Sequence, residues 1–368
     1  MKKTNSRIGK RNSAAGRSGR LLVAGALWAA GLAAVAPGSA CADEGGISFW
    51  LPGQFGSLAA VPGVPGWTLS LFNYFPQVSA SGAVAAAREV TLGKFSSTVN
   101  VNLNATISAD PDLVFIVPSY IFATPVFGGQ FAVSVASAVG RSTADLNGTL
   151  TLTGPGGGTI TRQGNIDDGR TGFSDLYPMA TLKWHDGVNN WMTYVTGDVP
   201  VGLYSTSSLA NIGIGHGAID SGVGYTYFNP QTGTEFSAVT GLTYNFLNPS
   251  TNYQNGIDWH LDWGTSHFFS RTFFAGAVGY IYDQLTADRG CLPALCPFES
   301  RVVGVGPQIG FIFPSPTVQT FLGFKSYWEF DAANRPSGWN GWVTLSFSPS
   351  PPAPESAAAA MVTKAPPR

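Results

Sequence analysis

Ser266 and His267 are adjacent in Gly264-Thr265-Ser266-His267, the residue types of a nucleophile and its general base. Neighbours on an extended strand point to opposite faces, so a strand here excludes a Ser–His hydrogen bond. Asp258, His260 and Asp262 are spaced two apart, which puts them on one face of a strand. They would hold a cation only if a neighbouring strand added ligands, and otherwise they form a hydrated polar wall. The glycine runs at 154–158 and 213–217 lack the following helix and lysine that phosphate loops require. Cys291 and Cys296 are five residues apart. In an oxidising compartment such a pair reads as a disulfide stapling a short loop, and zinc would need further ligands that the sequence does not place nearby. No spacing of carboxylates distinguishes hydrolysis from plain polarity. The expectation is a protein that is not an enzyme, with no catalytic group, no metal and no cofactor.

The elements that must carry these residues are strands. From Trp67 onward apolar and polar residues alternate with a period of two, interrupted by turn residues. Val101, Leu103, Ala105 and Ile107 alternate with Asn100, Asn102, Asn104 and Thr106; Ile257, Trp259, Leu261 and Trp263 alternate with Asp258, His260 and Asp262. In 174–185 the faces are Leu176, Pro178, Ala180, Leu182 and Trp184 against Asp175, Tyr177, Met179, Thr181, Lys183 and His185. In 321–331 they are Leu322, Phe324, Trp328 and Phe330 against Lys325, Tyr327, Glu329 and Asp331. A soluble sandwich would alternate too, so the aromatic residues decide. Trp184 and Trp191 flank the turn Asp186-Gly187, and Trp339 and Trp342 begin the last strand, the placement expected at lipid interfaces of a membrane barrel.

Connections alternate between short ones (124–128, 186–187, 229–233, 270–271, 314–316) and long ones (154–170, 204–211, 247–255, 288–297, 332–338). That alternation fits short periplasmic turns and long outer loops. The fold expected is all-β, a transmembrane antiparallel barrel of about 12 strands, with 14 as the other count. Asp110-Pro111 is read as a bend inside one strand, because a hairpin there would make the count odd.

Before the barrel, seven basic residues between Lys2 and Arg20 precede the apolar run 21–36 and the small residues around Cys41. This is read as a signal peptide, residues 1–42, cleaved after Ala42; lipidation of Cys41 is the alternative. The remaining chain carries 13 basic and 21 acidic residues, a net charge of −8, which argues against nucleic-acid binding. Residues 43–66 are rich in Gly and Pro and read as an irregular segment able to plug the bore; 67–348 form the barrel; 349–368 form a disordered Pro/Ala-rich tail.

Gly172 to Pro178 (GFSDLYP), Thr196 to Tyr204 (TGDVPVGLY), Leu209 to Gly213 (LANIG), Tyr227 to Gly233 (YFNPQTG), Asn255 to Asp262 (NGIDWHLD) and Asn334 to Gly338 (NRPSG) occur in this order. With these motifs the chain resembles the phenol-degradation meta-pathway transporter family, from about Trp50 to Phe347. The resemblance implies an outer-membrane barrel associated with uptake of aromatic or other hydrophobic compounds, and it supplies no catalytic or ligand residues to carry over. The expected function is passive uptake of small hydrophobic or aromatic solutes. A general or ion-selective porin, and a structural or adhesive barrel with partner-binding loops, are the alternatives. The expected partners are outer-membrane lipid and the solute, with the oligomeric state open. Asp175, Lys183, Asp258, His260, Asp262, Lys325 and Glu329 are the lumen candidates, either selecting what passes or holding the wall together by ion pairs.

Overall fold

A computed structural model describes residues 48–81, 101–109, 111–153, 159–208, 210–290 and 299–351. The signal segment, the pair Cys291 and Cys296, the tail from residue 352 and the side chains of residues 101–109 lie outside the described residues.

Period-two alternation becomes fourteen strand segments: β1 (Gly66–Ser81), β2 (Val101–Ala109), β3 (Asp112–Ile121), β4 (Gln130–Thr153), β5 (Thr159–Phe173), β6 (Tyr177–Asp186), β7 (Asn189–Asp198), β8 (Ala218–Asn229), β9 (Thr234–Asn245), β10 (Ile257–Ser270), β11 (Phe273–Gln284), β12 (Arg301–Phe313), β13 (Val318–Ala333) and β14 (Ser337–Pro349). Every strand pairing is antiparallel, and β14 pairs with β1 from Phe347↔Leu69 to Ser337↔Ser79, which closes the sheet on itself. Closure removes both sheet edges, the condition for a β structure to cross a membrane.

Two of the breaks between segments lie inside continuous wall strands. β2 and β3 keep one register against β4, with Ala109 facing Ala144 and Asp112 facing Arg141. Pro111 has no N–H to give to the ladder, so the chain is interrupted there without turning back. Likewise β5 and β6 both lie along β4, with a one-residue step between Phe173↔Val139 and Tyr177↔Ala136. Counted this way the wall is a ring of twelve strands. Residues 159–170, expected as an outer loop, instead extend the wall as β5. Their Thr, Gln, Asn and Gly content reads as a loop, but each residue faces a partner on β4. β4 has 24 residues, against the roughly 9–11 that cross a bilayer, so this side of the wall projects beyond the membrane.

The connections after β3, β6, β8, β10 and β12 gather at one end with the start of β1 and the finish of β14, and those after β7, β9 and β11, which are longer, lie at the other; there too lies the connection expected as a long loop at 332–338, which is a turn of residues 334–336 because the two strands extend their pairing into it. In the tightest, Asp186 faces Asn189 and Gly187 takes φ 62°, a left-handed conformation that glycine adopts without a Cβ clash.

The outward face is apolar: Val133, Val195, Val223, Leu242 and Trp328 are all exposed there. In a soluble protein so much exposed apolar surface would be a liability, whereas in a bilayer it is the solvated face. Aromatic side chains collect near the short turns, where Trp191 packs against Tyr225 and Trp67 against Tyr120. Trp342 departs from the expected interfacial placement. It alternates with the outward Leu345-side set and turns inward, 4% exposed, in the interior cluster with Trp50, Tyr280 and Tyr327.

Candidate functional site

Inward-facing side chains divide the barrel interior into two parts of different chemistry. The first lies along β8 to β13 and is polar. On β10, Asp258, His260, Asp262 and Ser266 are buried while Ile257, Trp259, Leu261 and Trp263 face outward, as the alternation requires. Ser266 points inward to Glu235 and His267 is exposed against Phe269, so the two share no face.

Residues 48–65 contact this polar wall from inside. Asp262 accepts hydrogen bonds from the backbone N–H of Gly53 (2.9 Å) and Phe55 (3.1 Å). Lys325, on β13, donates to the carbonyls of Gly53 (2.6 Å), Gln54 and Phe55 (3.2 Å each). Further along, Glu235 accepts from Ser57 Oγ (2.5 Å) and Leu58 N (3.0 Å) as well as from Ser237 and Ser266 of the wall. Lys183, on β6, donates to the carbonyls of Ala59 (2.7 Å) and Val61 (3.2 Å). β6 and β13 lie well apart around the ring, so a chain reached by lysines from both passes through the interior. Trp50 is fully buried and stacks on the His260 ring, centroids 3.5 Å apart and planes at 14°. Irregular backbone at membrane depth is tolerable only where its N–H and C=O groups are met, and these four charged residues meet them.

The remaining lumen candidates are brought to separate places. Asp258 accepts from Asn245 (2.8 Å), and His260 lies 3.0 Å from Asp220 and 3.3 Å from the Tyr194 hydroxyl. Glu329 accepts from Tyr280 OH (2.6 Å) and Gly338 N (2.9 Å). Asp175 lies by the loop after β7, accepting from Gly202 N (2.6 Å) and Ile214 N (2.7 Å). Among the described residues the ion pairs are His260–Asp220 and Arg301–Asp331, and neither joins two of the seven candidates to each other. Sequence reasoning missed Glu235, Asp220 and Trp50. The first two sit in strands whose alternation, Glu235-Ser237 and Asp220 beside Ile219, carried the signal; Trp50 lies in a segment without a period.

The second part of the interior, along β1, β3, β4, β6 and β14, is an apolar cavity of about 360 Å³. Phe72, Tyr74 and Val78 of β1, Leu113, Phe115 and Val117 of β3, Ala136 and Ala144 of β4, Tyr177 and Met179 of β6 and Trp342 line it. The segment that fills the polar side supplies Phe49, Leu51 and Phe55 as its inner wall, and Tyr204 and Ile212 of the loop after β7 cover it at the long-loop end. A concave, mostly apolar surface that carries aromatic rings beside serine, threonine and other polar side chains has the size and chemistry of a small-molecule site.

Among solved structures, an outer membrane channel from Pseudomonas putida F1 superposes with a TM-score of 0.54 at 10% identity, covering 78% of this chain and 96% of that one. A FadL homologue from Pseudomonas aeruginosa aligns at a TM-score of 0.39 and 9% identity over 84% of this chain and 98% of that one. The first likeness is one of fold. No curated protein matches the sequence. Residues 79–345 match the family described as "Putative MetA-pathway of phenol degradation", and the chain belongs to that family.

Proposed function

We propose that this protein is a passive outer-membrane channel for small hydrophobic or aromatic compounds, exported by its N-terminal signal segment, with residues 48–65 as the plug of its bore. The observation that carries this reading is the apolar cavity beside a bore otherwise occupied by a hydrogen-bonded segment. Water and ions gain nothing from a wall of Phe, Leu, Val and Trp, whereas an aromatic solute loses its hydration cost there and finds ring contacts. The lumen charges hold the plug: Asp262, Lys325, Lys183 and Glu235 spend their hydrogen bonds on its backbone and side chains. Family membership supports the aromatic part of the reading.

The test is uptake of a labelled monoaromatic into vesicles carrying lipopolysaccharide in the outer leaflet, with the refolded full chain. Saturable uptake above protein-free vesicles is expected, and Ala136→Trp, which projects an indole into the cavity, is expected to lower it at least tenfold. Uptake indifferent to that substitution would refute the cavity as the route. Absence of both uptake and ion current would favour a structural or adhesive barrel.

A further inference from the structure

Two hydroxyls of the cavity wall are turned to the backbone. Ser174 Oγ accepts from Ala138 N (2.7 Å) and donates to the carbonyl of Asp175 (2.9 Å), and Thr196 donates to that of Pro178 (2.9 Å). Ser142 differs: it is 4% exposed and lines the same cavity, but its hydroxyl makes no hydrogen bond to a described residue. It belongs to the inward face of β4, where every second residue from Ser134 to Ala144 is Ser, Ala or Gly. The register that faces Tyr74 with Leu113 and Asp112 with Arg141 puts Pro76 and Pro111 on its rung on one side, and Arg170 of β5 faces it on the other. Neither a proline ring nor a guanidinium can accept a hydrogen bond. Asp168, two residues along β5, accepts instead from Ser208 Oγ (2.6 Å) and Ala210 N (3.1 Å) of the loop after β7. Ser142 is thus a buried donor on an apolar cavity with no acceptor side chain on its own rung.

We propose that Ser142 is a solute-binding residue that recognises the carbonyl oxygen of an uncharged aromatic compound, an aryl ketone, aldehyde or ester. Its hydroxyl donates to that oxygen, and the ring lies among Tyr74, Leu113 and Phe115, the next inward residues of β1 and β3. This rests on the reading of the cavity as a solute site and adds the chemical class of the solute. An unmet buried donor costs about 1–3 kcal/mol, and an oxygen that only accepts removes that cost without adding a donor of its own. A phenol in the same place accepts the same bond and leaves its own O–H unmet, and for a carboxylate one hydroxyl is a poor exchange for its hydration.

The test is equilibrium dialysis of labelled acetophenone and of α-methylstyrene, in which a methylene group replaces the carbonyl oxygen, against the refolded full chain in nanodiscs, with uptake by empty nanodiscs subtracted. Ser142→Ala is expected to weaken acetophenone binding about fivefold, the worth of one hydrogen bond, and to leave α-methylstyrene within about twofold. The carbonyl stretch of bound acetophenone is expected at lower frequency in the natural chain than in the variant, a signature that a change of packing alone would not give. Retained heat-modifiable migration in gels confirms that the variant is folded. Equal weakening of both compounds, or of neither, would overturn the role of Ser142 and leave the channel reading standing. Binding of neither compound by the natural chain would overturn the cavity as a solute site altogether. Phenol or benzoate losing as much as acetophenone in the variant would overturn the assignment to an uncharged carbonyl compound.

Discussion

Asp262 and Lys325 grip one tripeptide from its two sides, the carboxylate taking N–H groups of Gly53 and Phe55 and the ammonium taking carbonyls of residues 53–55. Removing either partner leaves buried polar backbone groups unmet, which costs about 1–3 kcal/mol. Asp262→Ala is therefore expected to raise the maleimide labelling rate at a cysteine introduced by Gln54→Cys about 5- to 150-fold, read by peptide mass. An unchanged rate would mean that the segment is held by packing alone. Trp50 supplies packing through its stack on His260, and Trp50→Ala is expected to have a smaller effect on labelling than Asp262→Ala. Lys183, Asp262 and Lys325 were legible as inward-facing because each lies on a strand with clear alternation. Their partners were not, since a Gly/Pro-rich segment has no period from which contacts can be read.

At the scale of elements, twelve wall strands follow from alternation, turn lengths and parity, and β2 and β3, on either side of the expected bend, keep one register against β4. What misled the sequence reading was composition. Residues 159–170 have the polar, glycine-containing make-up of a loop, yet pair along β4 as a strand because cross-strand hydrogen bonds need only backbone. Where the wall is tightly packed, side-chain size becomes the constraint. A Cβ at Gly241 on β9 would fall 2.2 Å from the Tyr194 hydroxyl and 2.8 Å from the Ser221 carbonyl. Gly241→Val is accordingly expected to abolish the folded, heat-modifiable band after refolding, while Leu242→Val, one residue along and facing outward, is expected to keep it. Equal folding of the two would show that this approach is softer than the contacts imply.

Across the whole molecule, one wall is polar and occupied, the other apolar and open, and the same N-terminal segment faces both. Its backbone and Ser57 answer the charges of β6, β9, β10 and β13, and its Phe49, Leu51 and Phe55 complete the cavity. On the proposed function, that segment closes the bore of a solute channel to ions. The measurement is single-channel conductance of the refolded full chain in planar bilayers, beside a variant lacking residues 48–63. Near-zero current is expected for the full chain and steady ion conductance for the deletion. Large, steady current through the full chain, unchanged by the deletion, would contradict it and identify an open porin.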